Sequence, residues 1–241
     1  MNEFIRTQML LGEESIKKLK NTSVIVFGIG GVGSYVCEAL ARSAVGKLML
    51  VDNDTVSESN INRQLIALHS PIGKFKTDVM ANRIKDINPK CVVDTKNIFY
   101  TQENGECIDF NEYDYIVDCI DTVTSKLYII QRAYELNIPI ISSMGTGNKI
   151  NASEFLISDI SKTSVCPLAR VMRRELKARQ IPKLKVLWSK ENPIKPQFLE
   201  DENNNKLLPG SVSFVPSVAG LLIAGEVIKD IIKIEKEGKN T

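Results

Sequence analysis

The chain has 241 residues, 43% hydrophobic and 25% charged, with a formal net charge of +2. These totals suit one large globular domain with a sizeable core, and they demand no polyanionic partner, while leaving local patches free to bind one. Five cysteines, at 37, 91, 107, 119 and 166, include no C-x-x-C pair. That argues against a disulfide framework or a zinc knuckle and for reduced thiols in the cytoplasm. The segment MNEFIRTQMLLGEESIKKLK carries acids within it and lacks a continuous apolar run, so neither a signal peptide nor a membrane span is expected.

Residues 8–19 have the spacing of a short amphipathic helix. SVIVFG (23–28) reads as a strand buried on both faces, and GVGSYVCEALARSAV then continues with a helical stripe of Val32, Val36, Ala39 and Leu40. KLMLVD (47–52) is a second strand, and KTDVMANRIKDINP (76–89) is a helix stopped by Asn88-Pro89. YDYIVDCID (113–121) is a strand, TSKLYIIQRAYELN (124–137) a helix and IPIISSMG (138–145) a strand. This alternation predicts an α/β fold, a Rossmann-like, doubly wound and mostly parallel sheet. Past residue 150 the pattern changes. ASEFLISDI reads as an antiparallel strand, 167–179 as a basic amphipathic helix, 180–213 as an irregular excursion and 217–234 as an apolar helix before a charged tail. With no interdomain linker, 1–241 reads as one domain, with a nucleotide-binding core (1–145) and an elaboration (146–241).

GIGGVGS places Gly28, Gly30, Gly31 and Gly33 between a strand and a helix, where glycines admit a phosphate to free N–H groups and the helix dipole. Asp52 ends the next strand, where its carboxylate can accept ribose hydroxyls. To this point NAD and ATP remain equally open. The residues beyond separate them. Asp54, Asn60, Arg63 and Gln64 follow, then Lys76, then DCID with Asp118 and Asp121. Attack of a carboxylate on the α-phosphate of ATP needs cations on the phosphates and a carboxylate for Mg2+. Arg63 and Lys76 can supply the first and Asp121 the second, a set for which hydride transfer has no use. Gln64 carries no argued role.

GIGGVGS, D-x-D, SNINRQ, G-x-x-K, INP and DCID together, over the first 145 residues, resemble the ubiquitin-activating-enzyme-like (ThiF-type) superfamily, whose members adenylate carboxylates. The resemblance implies ATP and Mg2+, with Asp52 on the ribose, Asn60, Arg63 and Lys76 on the phosphates, Asp121 on the metal, and Arg6 reaching into the partner subunit's site of a homodimer. Sulfur-carrier activators of the superfamily commonly carry paired C-x-x-C motifs, which this chain lacks. Its MGTGNKINASEFLISDISKTSVCPLARVMRRELK and SVSFVPSVAGLLIAGEVI instead resemble the branch of tRNA threonylcarbamoyladenosine dehydratases. That branch implies adenylation of the threonyl carboxylate of the modified base next to the anticodon, then ring closure by the carbamoyl group. Activation of the C-terminal glycine of a ubiquitin-like sulfur carrier is the alternative, and a sulfur-relay protein is a further candidate partner.

Arg170, Arg173, Arg174 and Lys177 lie at helical spacing, with Arg179, Lys183 and Lys185 beyond, and can meet tRNA phosphates or form a solvated face. Cys166, before a helix, reads as a small helix-start residue rather than an acyl acceptor. Cys37 and Cys119 read as core, His69 as neither ligand nor base, and Trp188 and Phe214 as packing residues rather than base-stacking ones.

Overall fold

β1 (Ser23–Phe27) is the run SVIVF, and its alternation decides the layers. Val24 and Val26 point into one cluster, while Ile25 and Phe27 point into another on the opposite face. β2 (Lys47–Val51) repeats this with Leu48 and Leu50 on the first side and Met49 and Val51 on the second. A strand buried on both faces needs helices on both, which is the doubly wound arrangement. The computed structural model describes residues 2–197 and 209–233.

The sheet has seven strands in the order β3-β2-β1-β4-β5-β7-β6, where β3 is Val92–Lys96, β4 Tyr115–Asp118, β5 Ile140–Ser143, β6 Phe155–Asp159 and β7 Lys185–Ser189. All neighbours pair in parallel except β6 and β7, which are antiparallel. The expected mostly parallel sheet with an antiparallel extension is therefore what forms. Helices α3 (Gly33–Arg42), α4 (Lys76–Ile87) and α7 (Phe214–Ile232) cover one face through Leu40, Met80 and Ile223. α5 (Val123–Glu135) covers the other through Ile129 and Ala133. A third cluster joins α5 and α6 (Pro167–Ala178) to β7 through Ile130, Met172, Leu176 and Trp188. Each side chain fully buried in these layers stabilises the fold by about 1.5–3 kcal/mol.

Three expectations change. The single N-terminal helix over 8–19 is two, α1 (Ile5–Leu11) and α2 (Glu13–Lys20), broken at Gly12 with φ 82°. β3 stands outside the expected elements, because VVDTK is a half-exposed edge strand that lacks an apolar run. The excursion over 180–213 contains β7, whose apolar KVLWS was hidden among prolines and lysines. Its Lys185 is held by Glu226 (3.1 Å) and Asp230 (2.6 Å) of α7, so this charge is structural. The charged tail after residue 233 lies outside the described residues.

Candidate active site

The carboxyl ends of β1, β2, β4 and β5 open into one cavity of about 730 Å³. Its floor is the glycine turn. Gly28 has φ +84°, and a Cβ at Gly33 would stand 1.8 Å from the Gly28 carbonyl oxygen, so only glycines allow α3 to start directly against β1. Gly28, Gly30 and Gly31 line the cavity, and Gly33 sits beneath them as the first residue of α3. The helix thus aims its positive end at the cavity.

Asp52 fixes that turn. One carboxylate oxygen accepts the Ile29 N–H at 2.6 Å and the other the Asp54 N–H at 2.8 Å. Burial pushes its carboxyl above the ordinary value, against the two amide hydrogen bonds, which pull it down. Lone pairs left on both oxygens suit ribose hydroxyls. Lys76, the first residue of α4, is buried, and its Nζ donates to the exposed Asp54 carboxylate at 2.7 Å. Asp54 thereby holds the ammonium at the cavity wall.

The segment after Asp54 turns back across the mouth. Asn60 is buried and accepts the Ser57 N–H at 3.2 Å, which shapes the turn. Arg63 donates to the Ser59 carbonyl and the Asn62 side chain, both at 3.0 Å, which orients its guanidinium. Asp121, past the end of β4, is exposed at the rim. Asp52, Asp54, Asn60, Arg63, Gln64, Lys76 and Asp121 all line this one cavity. Arg6 does not. It lies exposed on α1, outside the cavity of its own chain.

Sequence reasoning had no use for Gln64 and missed Ser125. Both are buried cavity residues, and Gln64 Oε1 and Ser125 Oγ have no hydrogen-bond partner among the described residues. Buried polar atoms left unmatched beside a cavity mark where a polar ligand or water completes the bonding. The glycine floor, two cations and two waiting polar atoms fit a nucleotide triphosphate. For Mg2+, the described residues hold no cluster of three or more Asp, Glu, His or Cys side chains. A single carboxylate, Asp121, together with phosphate oxygens and water, is the donor set Mg2+ accepts at such sites.

Also unread in the sequence is the far half of the cavity, built from the loop after β5 together with Cys166, Leu168 and Pro193. Lys149 is buried there, and its Nζ donates to the Glu191 carbonyl at 2.7 Å. Cys166 is buried with its Sγ facing Gly145, a packing role. Cys37 is core, whereas Cys119 is half-buried against the core at the cavity wall, and burial pushes both thiols up. Trp188 is core too, its indole N–H bonded to Ser158 at 3.0 Å, and His69 is exposed away from the cavity. On α6, Arg170, Arg174 and Lys177 face solvent, opposite buried Ala169, Met172 and Leu176. Arg173 departs from the expected patch, because its guanidinium is tied to Thr163, with the carbonyl at 3.0 Å. No helix among the described residues is long and apolar enough to cross a membrane.

Comparison with known proteins agrees with this geometry. The chain is 43% identical to the tRNA threonylcarbamoyladenosine dehydratase of Bacillus subtilis, over 97% of this chain and 96% of that one. The solved structure of the Escherichia coli tRNA N6-threonylcarbamoyladenosine dehydratase in complex with AMP superposes with a TM-score of 0.87 at 31% identity, covering 96% of this chain and 94% of that one. The adenylyltransferase and sulfurtransferase UBA4 of Vanderwaltozyma polyspora is 36% identical over only 57% of this chain and 31% of its own length. The sequence pattern of the ThiF family matches residues 4–241, and the chain belongs to that family.

Proposed function

We propose that this protein uses ATP to dehydrate threonylcarbamoyladenosine beside the anticodon of tRNA, closing it to a cyclic base. The observation that carries this reading is the single cavity in which Asp52, Asn60, Arg63, Lys76 and Asp121 converge. The chain's end-to-end similarity to dehydratases that act on this base supports it. The UBA4 likeness covers only 57% of this chain, so adenylation of a carrier protein is the weaker alternative.

In this reading Asp52 holds the ribose, and Lys76 exchanges Asp54 for a phosphate oxygen. Arg63 and Asn60 hold the polyphosphate in line with the incoming carboxylate. Asp121 would hold Mg2+, which when bound would supply positive charge to offset the negative charge of the departing pyrophosphate. A threonyl carboxylate oxygen bonds to the α-phosphorus as the bond to pyrophosphate breaks. The carbamoyl nitrogen or oxygen then bonds to the acyl carbon, AMP leaves with the original carboxyl oxygen, and a proton from a carbamoyl N–H passes to solvent. Ring closure is fast because the nucleophile is already tethered beside the acyl carbon.

Residues 1–145 hold the nucleotide, and 146–241 the acceptor and, together with α1, the dimer contact. Exposed Met9 and Leu10 of α1 and Leu221 and Leu222 of α7 support a homodimer in which Arg6 enters the partner subunit's cavity. Five free cysteines accord with a reducing cytoplasm. Mass spectrometry of tRNA nucleosides from a strain lacking the protein is the direct test: the cyclic base should vanish and its open form accumulate. Persistence of the cyclic base would end the proposal. Pyrophosphate exchange should be stimulated by the modified tRNA and not by a ubiquitin-like carrier.

A further inference from the structure

The cavity divides by charge. Its acids (Asp52, Asp54 and Asp121) and its phosphate-binding cations lie over β1, β2 and β4 and the start of α4. The other half, running from Ser143 to Lys149 and on to Cys166, Leu168 and Pro193, contains no acid among the described residues. Lys149 is its one charged side chain there, only 3% exposed.

A buried ammonium is costly unless paired, and Lys149 is not paired by the acid nearest in its own circuit. The Glu191 carboxylate is committed elsewhere, accepting the Ile150 and Asn151 N–H groups, each at 3.0 Å. Glu191 gives Lys149 only its backbone carbonyl. Burial holds the ammonium below its ordinary pKa, against the pull of Cys166 and Glu191. The loop bearing it is rigidly set. Asn148, at φ +59°, exchanges hydrogen bonds with Gly210 (both 2.7 Å), and its carbonyl accepts the Ile194 N–H at 2.8 Å. A preorganised cation with spare donors in an otherwise neutral pocket suits one anionic group on a neutral body.

We infer that Lys149 binds the carboxylate that is to be adenylated, holding the threonyl end of the modified base in the half of the cavity opposite the phosphates. This assignment rests on the functional reading above. It gives the site a means of bringing a carboxylate up to a polyanion: the negative charge is offset by Lys149 before it meets phosphorus. A backbone phosphate of tRNA does not fit as well, because Lys149 lies at the base of the pocket and not on the outer surface.

The test compares the full-length protein with Lys149→Met and Lys149→Gln. Dissociation constants are measured for ATP, for tRNA carrying threonylcarbamoyladenosine, and for the same tRNA without the modification. The two tRNAs share every phosphate, so their difference isolates the threonylcarbamoyl group. The wild type should prefer the modified tRNA, and both variants should lose that preference by about 10–100-fold, the loss of a charged hydrogen-bonded contact. Binding of ATP and of unmodified tRNA should be unchanged, which also shows that the fold survives. Glutamine, which still bonds the Glu191 carbonyl, guards against a packing defect peculiar to methionine. An undiminished preference in either variant would overturn the assignment. So would a matching loss of ATP affinity, which would place Lys149 on the polyphosphate. A wild type that treats both tRNAs alike overturns the functional reading itself, and this assignment with it.

Discussion

The Lys126 ammonium lies 2.6 Å from the Asp118 carboxylate, and neither side chain is exposed to solvent. Ser142 completes the group, donating to Asp118 at 2.7 Å and standing 3.0 Å from Lys126. One residue comes from the end of β4, one from the first turns of α5 and one from β5. The cluster therefore pins together the two strand ends from which Asp121 and the Lys149 loop depart. Lys126→Met leaves a buried carboxylate without its counter-charge and should cost about 3–5 kcal/mol. Chemical denaturation measures it, and an unchanged midpoint would refute the structural role.

Gln64 and Ser125 should behave in the opposite way. Their buried oxygens are unmatched in the ligand-free protein, so Gln64→Leu and Ser125→Ala should leave its thermal stability unchanged or slightly raised. Calorimetric titration with ATP should show affinity falling about 2–10-fold in each, one neutral hydrogen bond's worth. Full affinity in both variants would remove them from the nucleotide site.

Arg6 and Asp121 provide a test of the dimer. Arg6→Ala and Asp121→Ala should each abolish ATP consumption with little loss of stability, because both side chains are exposed. If Arg6 serves the partner subunit's cavity, mixing the two inactive variants creates heterodimers with one complete site, and activity returns. A mixture that stays inactive after subunit exchange would place Arg6 outside the partner subunit's cavity.

The exposed face of α6 can be tested apart from its folded supports. Reversing Arg170, Arg174 and Lys177 to Glu should weaken tRNA binding and flatten its dependence on salt, while ATP affinity holds. Arg173→Glu should instead destabilise the fold, since that guanidinium is bonded to Thr163. Unchanged tRNA affinity in the triple variant would show that the face is merely solvated.

Acid should loosen the contact between α3 and α4. Glu38 of α3 forms a fork with Arg83 of α4 at 2.7 and 2.9 Å and a further bond to Arg42 at 2.8 Å. Burial tends to raise its carboxyl, but the two guanidiniums win and hold it below the ordinary 4.5. The unfolded chain thus takes up this proton first as pH falls. The stabilisation is complete above about pH 4.5 and drains away as pH drops through the lowered folded value. Glu38→Gln should flatten acid unfolding in that window, followed by circular dichroism. An unaltered profile would mean that the fork contributes nothing.

The parts that were legible in the sequence are those with local repetition. SVIVF, the glycines and the stripe of Val36 and Leu40 announce β1, the turn and α3 without any knowledge of neighbours. Arg63, Lys76 and Asp121 were legible as a set because their chemistry is shared and each follows a strand. β7 was not, because three apolar residues in a five-residue strand amid prolines and lysines carry no period. Lys149 and Ser125 were not, because a single polar residue carries no signal until folding buries it at a cavity wall. Arg173 and Arg174 look alike in sequence, and only packing shows that one is bound to Thr163 while the other faces solvent.

The place of β7 has a consequence for synthesis on the ribosome. β5 finds its outer neighbour only at residues 185–189, and β6, although made earlier, pairs with β7 alone. While the chain emerges, the nucleotide half is complete in its residues long before its sheet is complete. The open edge of β5 must wait through some forty residues of translation, with β6 emerging unpaired. The two halves of the cavity can therefore meet only after β7, the last of the seven strands to be made, takes its place between β5 and β6.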